Sequence, residues 1–180
     1  MKLDVVFSGV GGQGVVVLSD IFCEAALLDG FDVAKAEIHG MAQRGGSIVA
    51  HARISEKVES PLIEMGKADI LLGFELLETA RSLPMLKKDG TVVTNTKYIP
   101  PNSAIQTSAK PLTHEQLMNT IRTRAKNVHA VDGIGIAAKL GNLLVVNTVL
   151  LGALSALPEN PISAESFKNA ISSGLKQKYL

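Results

Sequence analysis

The sequence has a single cysteine, Cys23, no tryptophan, and aromatic residues at only 4% of its 180 positions. One thiol cannot close an intrachain disulfide, which fits a reducing, cytoplasmic compartment. Nor can it hold an iron–sulfur cluster, which takes a set of cysteine thiolates. Cys23 lies in an apolar helical stretch and reads as a small buried hydrophobe. With so few aromatics there is no surface for stacking bases. A net charge of +1, with both signs mixed along the chain, excludes steering toward nucleic acid or anionic lipid. Charged residues are lean at 19%, which suggests that a partner covers part of the surface. The most apolar run, Gly141 to Leu157, carries Asn142, Asn147, Thr148 and Ser155 and falls short of the ~20 apolar residues of a membrane span. It reads as a core or interface helix. Met1-Lys2-Leu3-Asp4 enters a strand-like segment directly, with no signal-peptide pattern.

Several chemical signatures are also missing. No serine or cysteine nucleophile motif occurs, and no lysine follows a Walker-type loop. The thiamine-diphosphate pattern, Gly-Asp-Gly followed some tens of residues later by paired asparagines, is absent; Asp132-Gly133 is preceded by Val131. His51, His114 and His129 are scattered without metal-ligand spacing. No catalytic residue and no metal site are therefore expected on this chain alone.

What is present is an alternation of strands and helices. Lys2 to Ser8 is a β-branched run, and Val15 to Leu28 is helical and stops at Asp29-Gly30. Asp32 to Ile38 and Ser47 to Ile54 are strands. The latter sets Ile48, Ala50, Ala52 and Ile54 on one face, and Val49, His51 and Arg53 on the other. Charged residues from Glu56 to Glu59 form a turn. Ser60-Pro61 predicts a short helix ending near Gly66. Ala68 to Phe74 is a strand covered on both faces, Glu75 opens a helix to about Leu86, and Lys88-Asp89-Gly90 is a turn before a strand from Thr91 to Thr96. Pro100-Pro101 marks a loop. Thr113-His114-Glu115-Gln116 has capping-box spacing. Asn127 to Val131 is a further strand. Two helices separated near Gly141-Asn142 follow it, and a last amphipathic helix begins around Ser163. The pattern predicts an α/β fold: a single Rossmann-like domain over residues 1–180, with a mainly parallel sheet and helices on both faces.

Gly9-x-Gly11-x-x-Gly14 follows a strand and opens a helix, the context in which this spacing has a mechanism. The first glycine permits the tight turn, the second lets backbone approach a phosphate, and the third lets helix and strand pack closely. The helix N-terminus adds unpaired N–H donors, and Gly12 adds further freedom. The other reading is a tight turn that binds nothing. Polar residues that follow strands should line the same sheet edge: Glu37, His39, Arg44, Glu75, Asn95 and Asp132. Glu37 could accept ribose hydroxyls in a nicotinamide enzyme. Arg44, before Gly45-Gly46, offers a planar fork to a phosphate or carboxylate. Glu75 and Asp132 also suit helix starts and caps. Asn147, in the apolar helix, needs a partner for its amide, whether a neighbouring loop or a second subunit.

As a set, these residues resemble the gamma-type subunits of the 2-oxoacid:ferredoxin oxidoreductases. The resemblance rests on the Gly9 to Gly14 stretch, Arg44-Gly45-Gly46, Ile63 to Asp69 before a strand ending in Glu75, and Asn147 with Leu151-Gly152-Ala153. It covers nearly the whole chain. The stretch from Glu37 to Gly46 is most similar to the indolepyruvate members, whose small subunit partners a large thiamine-binding alpha chain. The resemblance implies an oxidoreductase converting a 2-oxoacid, coenzyme A and oxidised ferredoxin to an acyl-CoA, carbon dioxide and reduced ferredoxin. It places thiamine diphosphate and the iron–sulfur clusters on the alpha partner, with ferredoxin reached through the complex. Left to this chain are shaping the shared site and holding a phosphate group, such as that of coenzyme A, at Gly9, Gly11, Gly12, Gln13, Gly14 and Arg44. Two other readings are a stand-alone nicotinamide dehydrogenase and an assembly module whose loop is empty.

Overall fold

The computed structural model describes residues 1–40, 46–100 and 110–174. Its strands are β1 (Leu3–Val10), β2 (Asp32–His39), β3 (Ser47–Ser55), β4 (Ala68–Gly73), β5 (Leu86–Asn95) and β6 (Asn127–Val131). The α-helices are α1 (Val15–Leu28), α2 (Leu76–Ser82), α3 (His114–Arg124), α4 (Gly133–Lys139), α5 (Val146–Ser155) and α6 (Ala164–Gly174). Two single 3-10 turns, Leu83–Met85 and Leu143–Val145, precede β5 and α5.

The strands form one sheet in the order β2-β3-β1-β4-β5-β6. β1, β4, β5 and β6 pair in parallel, and β3 runs antiparallel to both β1 and β2. Five strands therefore point one way and only β3 points back, so the sheet is mostly parallel, as expected. The hairpin of β2 and β3 has one consequence. In a dinucleotide-binding domain β2 lies beside β1; here β3 intervenes.

The central strands are apolar on both sides because both sides are covered. In β1, Val5 and Phe7 join the layer of α1, α5 and α6, while Val6 joins that of α2 and α3. Ile70 and Leu72 alternate with Leu71 in the same way, and Val93 with Val92. β3 keeps the expected alternation: Ala50, Ala52 and Ile54 are buried under α1, with Val49 on the opposite face. Phe22 of α1 packs edge-on against Phe7 at 5.6 Å between ring centroids and also touches Phe167 of α6. Cys23 is buried in this layer, and burial pushes its thiol up to about 12, so it behaves as a small hydrophobe. The apolar run after Gly141 divides: Leu150, Leu151 and Leu154 are core, while Leu140, Leu143 and Leu144 are exposed.

Two expectations fail for identifiable reasons. No helix forms over residues 60–66. A helix would need the Leu62 carbonyl to accept from Gly66, but that carbonyl accepts from Arg53 Nη1 at 3.1 Å and the Gly66 N–H donates to the Pro84 carbonyl at 2.9 Å. The Ile63 N–H donates to Nδ1 of His51, and burial lowers the pKa of that ring. Tertiary partners have taken the groups that the local sequence offered to a helix. The second failure is the turn at Lys88-Asp89-Gly90, which lies inside β5. Ala68 pairs with Leu86 and Ile70 with Thr91, so two steps on β4 (70 − 68) face five on β5 (91 − 86). The turn residues are present but absorbed as an irregularity within the strand. The helix after Glu75 is also shorter than expected, giving way to the 3-10 turn at Leu83.

Candidate functional site

Because β1, β4, β5 and β6 are parallel, their carboxyl ends share one edge: Ser8 pairs with Gly73, Gly73 with Thr94, and Asn95 with Val131. The antiparallel β3 begins at that edge, with Ser47 opposite Val10. A cleft of about 310 Å³ opens there, between the glycine loop and the turn that leads into α5. Its polar lining is Gly12, Gln13, Gly14, Asn95, Lys97 and Asn147. Its apolar lining is Phe74, Ile134, Leu143, Leu144 and Val146. Among the described residues, no aspartate or glutamate lines it.

The glycine loop is built differently from the pattern read in the sequence. The Gln13 N–H donates to the Val10 carbonyl at 3.1 Å, and Gln13 Oε1 accepts from the Val10 N–H at 2.8 Å. Gln13 therefore closes the turn on itself. The Gly11 N–H donates to the Gly46 carbonyl at 2.9 Å, so it serves the β3 connection. Close helix–strand packing falls to Gly9, where a Cβ would meet Gln13 Oε1 at 2.7 Å, Val15 Cγ2 at 2.8 Å and Phe74 Cβ at 2.9 Å. Gly14 caps α1 at φ 85° with no side-chain cap, and Leu18 is the first residue to donate back to it. Among the described residues, the N–H groups of Gly12, Gly14 and the first turn of α1 thus have no protein acceptor. They form a concentrated donor surface at the positive end of a helix dipole.

Of the described strand-end residues flagged in the sequence, the cleft takes only Asn95. It is 2% exposed, and its Oδ1 accepts from the Gly133 N–H at 3.3 Å. Asp132 caps α4 through the Gly135 N–H at 2.9 Å. Glu75 is fully buried as the cap of α2. It accepts from Leu77 at 3.0 Å, Ile99 at 3.3 Å and Glu78. Burial raises its carboxyl above the ordinary value, and those three N–H groups pull it partly back. Glu37 lies on the edge strand. It is paired with Lys35 at 2.7 Å and His39 at 3.0 Å, and its pKa is lowered first by the Lys35 hydrogen bond. With β3 between β2 and β1, this carboxylate stands two strand spacings, about 10 Å, from β1. That is not the place of a ribose-binding acid beside a glycine loop. Arg44 and Gly45 lie outside the described residues; Gly46 is tied to Gly11. Lys97 was not singled out from the sequence. It follows β5 by two residues, so the rule that flagged Asn95 also reaches it. It is exposed and makes no ion pair among the described residues. Asn147 sits directly against Gly14, where a Cβ would collide with its Nδ2.

Residues 4–179 match the family model described as pyruvate ferredoxin/flavodoxin oxidoreductase. The chain belongs to this family. It is 37% identical over 180 residues to the indolepyruvate oxidoreductase subunit IorB of Methanothermobacter thermautotrophicus, covering 100% of this chain and 91% of that one. The pyruvate/ketoisovalerate oxidoreductases common subunit gamma of Pyrococcus abyssi is 29% identical over 171 residues, covering 94% and 84%. Among solved structures, the gamma subunit of a keto/oxoacid ferredoxin oxidoreductase from Geobacter sulfurreducens superposes with a TM-score of 0.70 at 24% identity, covering 99% and 88%. The chain is thus a small, gamma-type subunit of a 2-oxoacid:ferredoxin oxidoreductase. Among the described residues no helix is long and apolar enough to cross a membrane.

Proposed function

We propose that this gamma-type subunit serves an oxidoreductase acting on indolepyruvate and related aryl-2-oxoacids, working in the cytoplasm. In this reading a large alpha partner holds thiamine diphosphate and the iron–sulfur clusters and passes electrons to ferredoxin. The small chain completes the shared site and holds the phosphate end of coenzyme A in its cleft. Thiamine diphosphate would supply the electron sink for decarboxylation from the partner's side. The chain's own work is to bind and orient. The N–H groups of Gly12 and Gly14 and the α1 dipole attract phosphate oxygens, Lys97 supplies a positive charge, and the apolar lining suits the rest of the ligand. Gly9, Gly11 and Gln13 shape the loop. Arg44, in the connection that returns to Gly46, adds a guanidinium for the same anion or for a carboxylate of the partner.

The observation that carries the phosphate reading is the polar lining of the cleft, which holds two loop glycines with unpaired N–H groups and a lysine and, among the described residues, no carboxylate. The substrate reading is supported by the higher identity to indolepyruvate subunits, 37% against 29% for the pyruvate/ketoisovalerate subunit. Steady-state kinetics of the assembled enzyme test it. Indolepyruvate or phenylpyruvate should exceed pyruvate in kcat/KM by about 100-fold, in line with filling or leaving empty an aryl-sized apolar pocket. Equal values, or a preference for pyruvate, would remove the aryl assignment.

A further inference from the structure

The buried amide of Asn95 has a role that its structural bond does not account for. Asn95 is 2% exposed and still lines the cleft. Its Oδ1 is occupied by the Gly133 N–H, and its Nδ2 donates to no acceptor among the described residues. Nδ2 is not among the fully enclosed side-chain atoms left without a partner, so it opens onto the cleft. It borders the cleft that Gly12, Gly14, Lys97 and Asn147 also line. With its oxygen engaged by the Gly133 N–H, the amide has Nδ2 left to offer the cleft as a donor.

We propose that Asn95 is a direct ligand contact, donating from Nδ2 to a phosphate-ester oxygen. The Gly133 bond serves to hold the amide in that sense. The inference rests on the reading of the cleft as a phosphate-ester site, and adds to it the residue that reads the anion. A carboxylate in its place would repel the ligand. Asn95→Asp keeps the oxygen that accepts from Gly133 and replaces the donor with a negative charge.

The test uses the full 180-residue chain, nitrogen-15 labelled, titrated with coenzyme A, ADP and pantetheine in turn. The Asn95 side-chain NH₂ signals should move with coenzyme A and ADP and stay still with pantetheine. Asn95→Asp should weaken coenzyme A binding by about 30-fold or more, since a charge-assisted hydrogen bond is lost and a repulsion gained. Its melting temperature should fall, because a carboxylate replaces an amide at a 2% exposed position, so binding is read well below the unfolding transition. If coenzyme A moves the Gly12 and Gly14 amides while the Asn95 NH₂ stays still, the Asn95 contact is wrong and the cleft reading stands. A shift with pantetheine alone also overturns the contact. If coenzyme A moves no cleft resonance in the chain or in the assembled complex, the cleft reading fails and the inference with it. The titration of the parent chain stands even if the variant proves unstable.

Discussion

Gly14→Ala is expected to destabilise the chain by about 2–4 kcal/mol, through two separable causes. The first is backbone: Gly14 holds φ 85°, and a residue with a Cβ pays about 1–2 kcal/mol in that region. The second is steric: the added Cβ would be driven into Asn147 Nδ2, and overpacking of this kind costs about 1–3 kcal/mol. The two can be told apart because the steric cause needs Asn147. In denaturant unfolding, Gly14→Ala combined with Asn147→Ala should recover about 1–2 kcal/mol relative to the two single losses summed, leaving the backbone cost. No recovery in the double variant would mean that Asn147 does not press on the loop.

Arg53→Ala should cost about 3–5 kcal/mol, a magnitude set by the burial of its partner. Asp4 is 1% exposed and accepts from Arg53 Nε at 2.9 Å and Nη2 at 3.4 Å. Removing the guanidinium leaves a buried carboxylate with only the exposed Lys2 ammonium, at 2.9 Å, to oppose it. Arg53 also binds the carbonyls of Ser60 and Leu62, so the segment after β3 loses its anchor at the same time. Neutralising the orphaned charge should help: Asp4→Asn together with Arg53→Ala should be about 1–2 kcal/mol more stable than Arg53→Ala alone. The midpoint of urea unfolding reads both. A loss below about 1 kcal/mol for Arg53→Ala would place this pair with ordinary surface ion pairs.

The elements that were legible in the sequence are those whose local signals agree with their tertiary setting. α1 ends at Asp29-Gly30, as its capping residues indicate, and Gly30 adopts φ 83°. Thr113 and Gln116 form the reciprocal cap of α3 that their spacing announces. The alternation in β3 survives because one face is pressed under α1. Local signals fail where a distant residue outbids them. Ser60-Pro61 offers a helix start, but Arg53 and His51, on a neighbouring strand, take its backbone groups.

The same contrast runs through the site. Glycine spacing identified the loop and its edge of the sheet, because that spacing is a property of one short segment. It did not identify which N–H groups remain available. That depends on Gln13 folding back to Val10 and on Gly46 meeting Gly11 across the β2–β3 hairpin. Glu37 looked like a ribose acid by sequence distance alone, and the intervening β3 moves it away. Asn147 and Lys97 reach the cleft from segments far along the chain, a proximity that only the closed sheet and the packing of α5 bring about.

We expect this chain to bind and orient its ligand and to perform no chemistry without its partner. This is tested most directly by reconstitution. The chain, purified anaerobically, is assayed for coenzyme-A-dependent dye reduction with indolepyruvate, alone and after addition of the large subunit, with the visible spectrum recorded in each state. The chain alone should be colourless and inactive, the large subunit should carry all the cluster absorbance, and turnover should appear only when the two are combined. Cluster absorbance and turnover from the small chain alone, or full activity from the large subunit without it, would overturn this division of labour.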